Sequence, residues 1–164
     1  MEHYIHFYPS PLGILRIETN DQYVISIQYT DLNFPDIPAQ SKTPNNKPIQ
    51  SVLLWLDEYF TGSSPEIANI PLSLSGTTFQ IKVWTHLLAI PYGQTVTYGQ
   101  IAKAIAQECG QLKMSAQAVG QAVGANPVCI LIPCHRVVGK NGKLTGYAGG
   151  LDRKIWLLNH ENAI

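Results

Sequence analysis

The stretch TYGQIAKAIAQECGQLKMSAQAVGQAV, residues 97–123, decides how the second half of this chain folds. Thr97 followed by Gln100 is a capping box, in which each side chain satisfies a backbone N–H that the first helical turn leaves free. It opens a short helix with Ile101, Ala104 and Ile105 facing inward. Ser115 can cap a second helix, Ala116–Val123, whose small residues allow backbones to approach closely. Two short helices joined by a turn suggest a helix-turn-helix, although Gln107–Met114 is longer than the usual turn of about three or four residues.

Working outward, Thr78 can cap a preceding helix carrying Phe79, Val83, Leu87 and Leu88, which Pro91 stops. The first half is different. Runs at Tyr4–Tyr8, Ile14–Thr19 and Tyr23–Thr30, separated by turn residues, predict an antiparallel meander. In the third run Tyr23, Ile25, Ile27 and Tyr29 alternate with Val24, Ser26, Gln28 and Thr30, so the first set should pack and the second face water. Four prolines between Phe34 and Pro48 mark a loop. Ile49, Val52, Leu53, Leu56 and Phe60 then recur at helical spacing and predict a helix covering the sheet. Residues 61–76, rich in Ser, Pro and Gly, read as a linker. The expected class is α+β: a sheet-plus-helix domain over 1–76 and a mainly helical domain over 77–164.

The 164 residues carry no net charge, but the charge is divided. Residues 1–76 hold three Lys/Arg against eight Asp/Glu, and residues 77–164 hold eight against three. A polyanion would be drawn to the second half, or the two halves attract each other; charge alone allows both. No apolar run has the length of a signal peptide core or a membrane span, so no membrane partner is expected. Three cysteines, Cys109, Cys129 and Cys134, are too few and odd in number for a disulfide framework, which points to a reducing, cytoplasmic location.

Val128–Ile132 is a short apolar run that predicts a buried strand ending at Pro133. Cys134-His135-Arg136 follows. A thiol at a strand end is usually inert core, but here a base and a fixed cation are adjacent and would favour the nucleophilic thiolate. Neighbours on a strand point to opposite faces, so His135 can serve the sulfur only if the chain turns there or a water bridges them. Glu161, at the end of a helix starting near Asp152, is the late carboxylate placed to orient that histidine. A satisfied core histidine and an exposed glutamate are the plainer reading of the same spacing.

The order of these residues is more specific than their types. Asn126-Pro127-Val128, Ile132-Pro133-Cys134-His135-Arg136-Val137-Val138, Gly146-Tyr147-Ala148-Gly149-Gly150 and Trp156-Leu157-Leu158-Asn159-His160-Glu161 together resemble the O6-alkylguanine-DNA alkyltransferase family. The resemblance runs from about Thr78 to Glu161, and the first half matches in type, as the family's ribonuclease-H-like sheet and helix. It implies a winged-helix-like DNA-binding motif, a monomer, and duplex DNA containing alkylated guanine as the partner. Cys134 would attack the alkyl carbon on O6 once and irreversibly, with O4-alkylthymine as a further candidate substrate. His135, through a water and backed by Glu161, would take the thiol proton. No metal or cofactor is implied. Tyr98 would give a proton to the base, and Asn126 would brace the turn to the active site. Arg136, Val137, Tyr147, Ala148 and Gly149 would contact the flipped base or DNA. The family's arginine at the start of the recognition helix falls on Gln117 here, a departure for which Lys113 would be the compensating cation.

Other classes fit less well. A lesion-binding relative without transfer lacks the nucleophile that this chain has. A methylation-responsive activator needs a zinc domain, and the cysteines for one are missing. A cysteine hydrolase needs an oxyanion hole and a turnover path that nothing marks. A zinc site from Cys129, Cys134 and His135 has no finger spacing and no defined fourth ligand. Cys129 and Cys109 read as structural, Cys109 being open to oxidation if exposed.

Overall fold

A computed structural model describes residues 1–33, 36–37 and 46–164. The proline-marked loop therefore lies largely outside the described residues. The chain divides into two compact units, Met1–Leu74 with Pro127–Cys129, and Ser75–Asn126 with Ile130–Ile164.

In the first unit, strands β1 (His3–Ser10), β2 (Gly13–Asn20) and β3 (Val24–Tyr29) form an antiparallel sheet in sequence order. Gly13 closes the first turn at φ 106°, a conformation that costs glycine little. Helix α1 (Lys47–Phe60) starts at an Asn46 cap with Pro48 in its first turn, and packs on the sheet. Ile49, Val52, Leu56 and Tyr59 are fully buried, as are Leu15, Ile17, Val24 and Ile27.

The alternation expected for β3 holds at Ile27 but fails at the start of the run, where Tyr23 is exposed and Val24 buried. Ile17 pairs with Ile27 and Glu18 with Ser26, but Thr19 pairs with Val24, so Ile25 is an extra residue. This bulge re-phases the strand and turns Val24 inward beside Ile27. The expected linker is also partly ordered. Val24 donates to Pro71 O at 2.7 Å and Ser73 to Val24 O at 2.9 Å, so residues 71–73 extend the edge of the sheet.

The expected strand at Val128–Ile132 does not exist. Ile27 donates to Pro127 O at 3.0 Å and Cys129 to Ile27 O at 2.9 Å, leaving a single bridge on β3. The chain then turns at Ile130, whose φ of 72° is a strained value for a β-branched residue. A short apolar run reads the same way in sequence whether it forms a strand or a buried turn.

The second unit holds α2 (Thr78–Leu88), β4 (Val96–Thr97), α3 (Tyr98–Glu108), α4 (Ala116–Gly124), β5 (Val137–Val138) and α5 (Leu151–His160). The cap of α2 is Thr77, not Thr78: Thr77 and Gln80 make the reciprocal bonds of a capping box. Thr97 with Gln100, and Ser115, cap α3 and α4 as the sequence predicts. On α3 the inward alanines are Ala102 and Ala106, with Ala104 only half-buried. Trp84 is buried and donates from Nε1 to Ala122 O at 2.9 Å, which locks α2 against α4. Val96 and Thr97 pair in parallel with Val137 and Val138. That two-residue pairing ties the start of α3, and so Tyr98, to the segment that follows Cys134. No helix among the described residues is long and apolar enough to cross a membrane.

Candidate functional site

Cys134, His135 and Arg136 form a single 3-10 turn rather than the end of a strand. Cys134 N donates to Ile132 O at 2.7 Å and Arg136 N to Pro133 O at 3.0 Å. Asn126, just past α4 and itself buried, donates from Nδ2 to the same Ile132 carbonyl at 2.8 Å. Its side chain also hydrogen-bonds Cys134. Asn126 therefore joins the end of α4 to the turn. Asn126→Ala should cost about 1–3 kcal/mol, the penalty for stranding a buried polar partner, and urea denaturation would measure it.

The turn sends His135 away from solvent and onto Glu161, the residue that ends α5. His135 Nε2 lies 2.7 Å from Glu161 Oε1, with both side chains fully buried. Arg136 donates from Nε to Oε2 at 2.8 Å and from Nη2 to Oε1 at 3.0 Å, and its Nη1 reaches Ile90 O at 2.7 Å. Gly93 N adds a bond to Oε2 at 3.2 Å. Burial alone would push the Glu161 carboxyl up, but the bonds from His135 and Arg136 prevail and hold it far below the usual carboxylate range. Burial pushes His135 down and outweighs the pull of Glu161, so the imidazole is neutral at neutral pH.

A neutral imidazole beside an ionised carboxylate carries its proton on Nε2 and donates it to Glu161. That leaves Nδ1 as a lone-pair acceptor, and Nδ1 is a buried atom with no hydrogen-bond partner. The arrangement is a base held in its accepting tautomer. Arg136, expected among the DNA contacts, is corrected by the same geometry. Its guanidinium is buried and committed to Glu161 and Ile90, because a buried carboxylate needs an internal cation.

Cys134 is almost wholly buried but lines a cavity of about 220 Å³ with Tyr98, Gly120, Val123, Tyr147 and Ala148. The volume is below the roughly 300 Å³ at which drug-sized sites begin, and suits a single flat base. Burial raises the thiol, while the Asn126 bond and then the charge of Lys154 oppose it. The sulfur therefore rests as a thiol and needs a base to become nucleophilic. Of the other expected contacts, Val137 is fully buried and absent from the cavity wall, its carbonyl accepting from Lys154 at 2.6 Å. Gly149 O accepts from Arg153 at 3.0 Å.

Tyr98 and Gly120 also line a second, larger hollow with Gln117, Lys140 and Asn141. Lys113 lies elsewhere, beside Lys103 and the fully exposed Leu112, and does not share the hollow of Gln117. The sequence reading missed Lys154, Ile90 and Gly93. A lysine three and four residues before the buried Leu157 and Leu158 was the available sign for the first. The other two act through backbone groups, which leave no trace in residue type.

Residues 78–163 match the family described as 6-O-methylguanine DNA methyltransferase, DNA binding domain, and residues 3–74 match its ribonuclease-like domain. The chain is 39% identical over 158 residues to a methylated-DNA–protein-cysteine methyltransferase of Haemophilus influenzae, covering 96% of this chain and 86% of the relative. The namesake from Mycolicibacterium paratuberculosis is 41% identical over 150 residues, covering 91% and 86%. Among solved structures, that of Mycobacterium tuberculosis OGT in complex with DNA is similar, with a TM-score of 0.79, 37% identity and coverage of 97% and 92%.

Proposed function

Because the chain belongs to the 6-O-methylguanine DNA methyltransferase family, we propose that it repairs alkylated DNA directly, moving the alkyl group from guanine O6 in a duplex onto Cys134. The observation that carries this reading is a nearly buried thiol lining a base-sized cavity, next to a neutral histidine whose accepting nitrogen is unsatisfied.

The residues divide the work as follows. The alkylated guanine leaves the stack, because its O6 substituent cannot meet a buried sulfur inside a duplex. Cys134 gives its proton to His135 Nδ1 through one water, and Glu161 stabilises the imidazolium that results. The sulfur then attacks the alkyl carbon in line; the S–C bond forms as the C–O6 bond breaks, and the electron pair stays on guanine. Tyr98, on the cavity wall, supplies a proton to the departing base. Tyr147 and Ala148 line the same cavity and would contact the base, and Asn126 keeps the nucleophile's turn in register. A soft thiolate attacking carbon needs no metal. The +5 charge of residues 77–164 suits a DNA backbone. A thiol reagent of this kind works in a reducing compartment, and all three cysteines are free, Cys109 at the surface. The cytoplasm is the location we infer.

Intact mass after mixing with an O6-methylguanine oligonucleotide tests the reading. One methyl group gained, mapped to Cys134, is the expected result; an unmodified chain with the lesion intact would overturn it. O4-methylthymine in the same assay defines the substrate range.

Gln117, at the second position of α4 and on the neighbouring hollow, is the residue we assign to the gap left by the flipped base. Gln117→Arg adds a cation at a strongly negative groove. DNA binding should tighten and its salt dependence steepen by about one unit of log K per log salt. Transfer from the duplex should quicken where flipping limits it, while transfer from free O6-benzylguanine should not change. An unaltered salt slope would move the assignment away from Gln117, with Lys113→Ala as the next variant to measure.

A further inference from the structure

Helix α4 carries a face that the chemistry above uses only at its first turn. Val119, Ala122 and Val123 are buried, and Trp84 holds that side through its bond to Ala122 O. Gln117, Gly120, Gln121 and Gly124 follow the spacing i, i+3, i+4 and i+7 and lie on the opposite face. Gln117, Gln121 and Gly124 are exposed, and a side chain at Gly124 would find open space around its first carbon. Glycines therefore flank Gln121 along this face, and its amide is what projects toward anything laid on the helix.

Gln117 and Gln121 both line the larger hollow, which measures about 850 Å³ and also includes Lys140. It shares Tyr98 and Gly120 with the cavity of Cys134. A nucleotide that reaches Cys134 stays bonded to its strand, and the larger hollow has the room for the DNA beside it. Gln100 also lines this hollow, but its Oε1 accepts from Thr97 N at 2.8 Å in the capping box. Gln117 and Gln121 make no side-chain hydrogen bond among the described residues. A free glutamine amide offers two donors and an acceptor. Four residues of α-helix rise about 6 Å, and successive base pairs are about 3.4 Å apart. For a helix lying along the groove with Gln117 at the vacated position, Gln121 reaches a pair one or two steps away, on one side only.

We propose that Gln121 is a specificity-determining residue: its amide hydrogen-bonds the edge of a base pair on one flank of the lesion and makes repair depend on whether that pair is A·T or G·C. The inference rests on the alkyl-transfer reading and on Gln117 at the gap, and adds which neighbouring sequence the protein prefers. The two kinds of pair differ in their donor and acceptor pattern in either groove. A glutamine on a helix fixed by Trp84 matches one pattern better than the other. Lys140, a cation meeting phosphate, would favour all sequences alike and set only the register.

Duplexes carrying one O6-methylguanine, with the two pairs on either flank switched between A·T and G·C, test this. The rate at which the wild type gains a methyl group should differ about fivefold or more on switching one flank, and much less on switching the other. Gln121→Met keeps the length of the side chain and removes the amide, and should abolish most of that difference. A merely structural effect would lower every rate in proportion and keep the ratio. An unchanged ratio in Gln121→Met overturns the proposal, as does a wild type indifferent to both flanks. The affinity of the same duplexes for Cys134→Ala, with and without Gln121→Met, reads the contact apart from the chemistry. There too the preference should be one-sided and vanish with the amide, and affinities that ignore the substitution on both flanks would overturn the proposal. A one-sided affinity lost in Gln121→Met, with no methyl transfer by the wild type, would uphold this contact and count against alkyl transfer alone.

Discussion

Limiting protein mixed with excess duplex containing O6-methylguanine should repair one lesion per chain, and Cys134→Ala should repair none. The first half follows from bond chemistry. Transfer replaces a C–O bond by a C–S bond in a thioether, and a thioether sulfur is a poor leaving group in water. His135 can take a proton from a thiol, but it has nothing to take from the alkylated sulfur, so no second half-reaction restores the starting state. The second half follows from the site, where Cys134 is the sulfur on the cavity wall and Cys129 is buried on the far side of the Ile130 turn in sequence. Cys134→Ala leaves Tyr98, Gly120, Tyr147 and Ala148 in place, so lesion-containing DNA should still bind. Counting repaired oligonucleotide against protein decides the point. Several equivalents per chain would require a hydrolytic or oxidative route and exclude the stoichiometric one.

Glu161→Gln should destabilise the protein by about 3–5 kcal/mol, the cost of leaving a buried charge without its partner. Arg136 would keep its bond to Ile90 O but lose the carboxylate that neutralises it. Since domains of this kind are stable by only about 5–15 kcal/mol, the loss should be plain in urea midpoints at neutral pH. The pH dependence has a definite sign. The folded carboxyl of Glu161 sits far below its ordinary value of 4.5, so its contribution is complete above that value and drains away as the pH falls toward the folded one. His135 adds to acid sensitivity at a higher pH, because its folded value is lowered from 6.5 and protonation favours the unfolded chain below that. Stability measured against pH should therefore fall more gently in Glu161→Gln than in wild type below about 4.5. A parallel fall would remove Glu161 from the account. Transfer should also slow by roughly a hundredfold or more, the scale of a lost general base, because His135 would no longer be fixed in its accepting tautomer.

The parts of this molecule legible in the sequence are those set by local rules. The caps at Thr97 and Ser115 were readable because a capping side chain bonds its own helix within three residues. The three strands and α1 were readable from period alone. What failed was decided at a distance. The phase of β3 turns on one extra residue, Ile25, and nothing in Val24–Tyr29 marks a bulge that depends on β2. Val128–Ile132 has the composition of a strand, and only the positive φ at Ile130 makes it a turn. The cap of α2 is the exception: Thr77 and Gln80 carry the same capping-box spacing as Thr97 and Gln100, so Thr77 rather than Thr78 is legible by a local rule. In the site, the order of residues singles out Cys134, His135 and Glu161 as candidates, yet residue identity gives no indication that Arg136 is consumed by Glu161. Lys154 was invisible for a related reason: a lysine reads as solvent-facing until the fold removes the solvent.

The small volume around Cys134 has a consequence for populations of the protein rather than for single molecules. Under the proposed chemistry the alkyl group stays on the sulfur, inside the same 220 Å³ that must receive the next base. A spent chain thus keeps its product in the cavity and has no thiol left to offer the remaining lesions. Repair capacity is then an inventory: it is set by how many unspent copies exist when damage arrives, and is replenished by synthesis rather than by time.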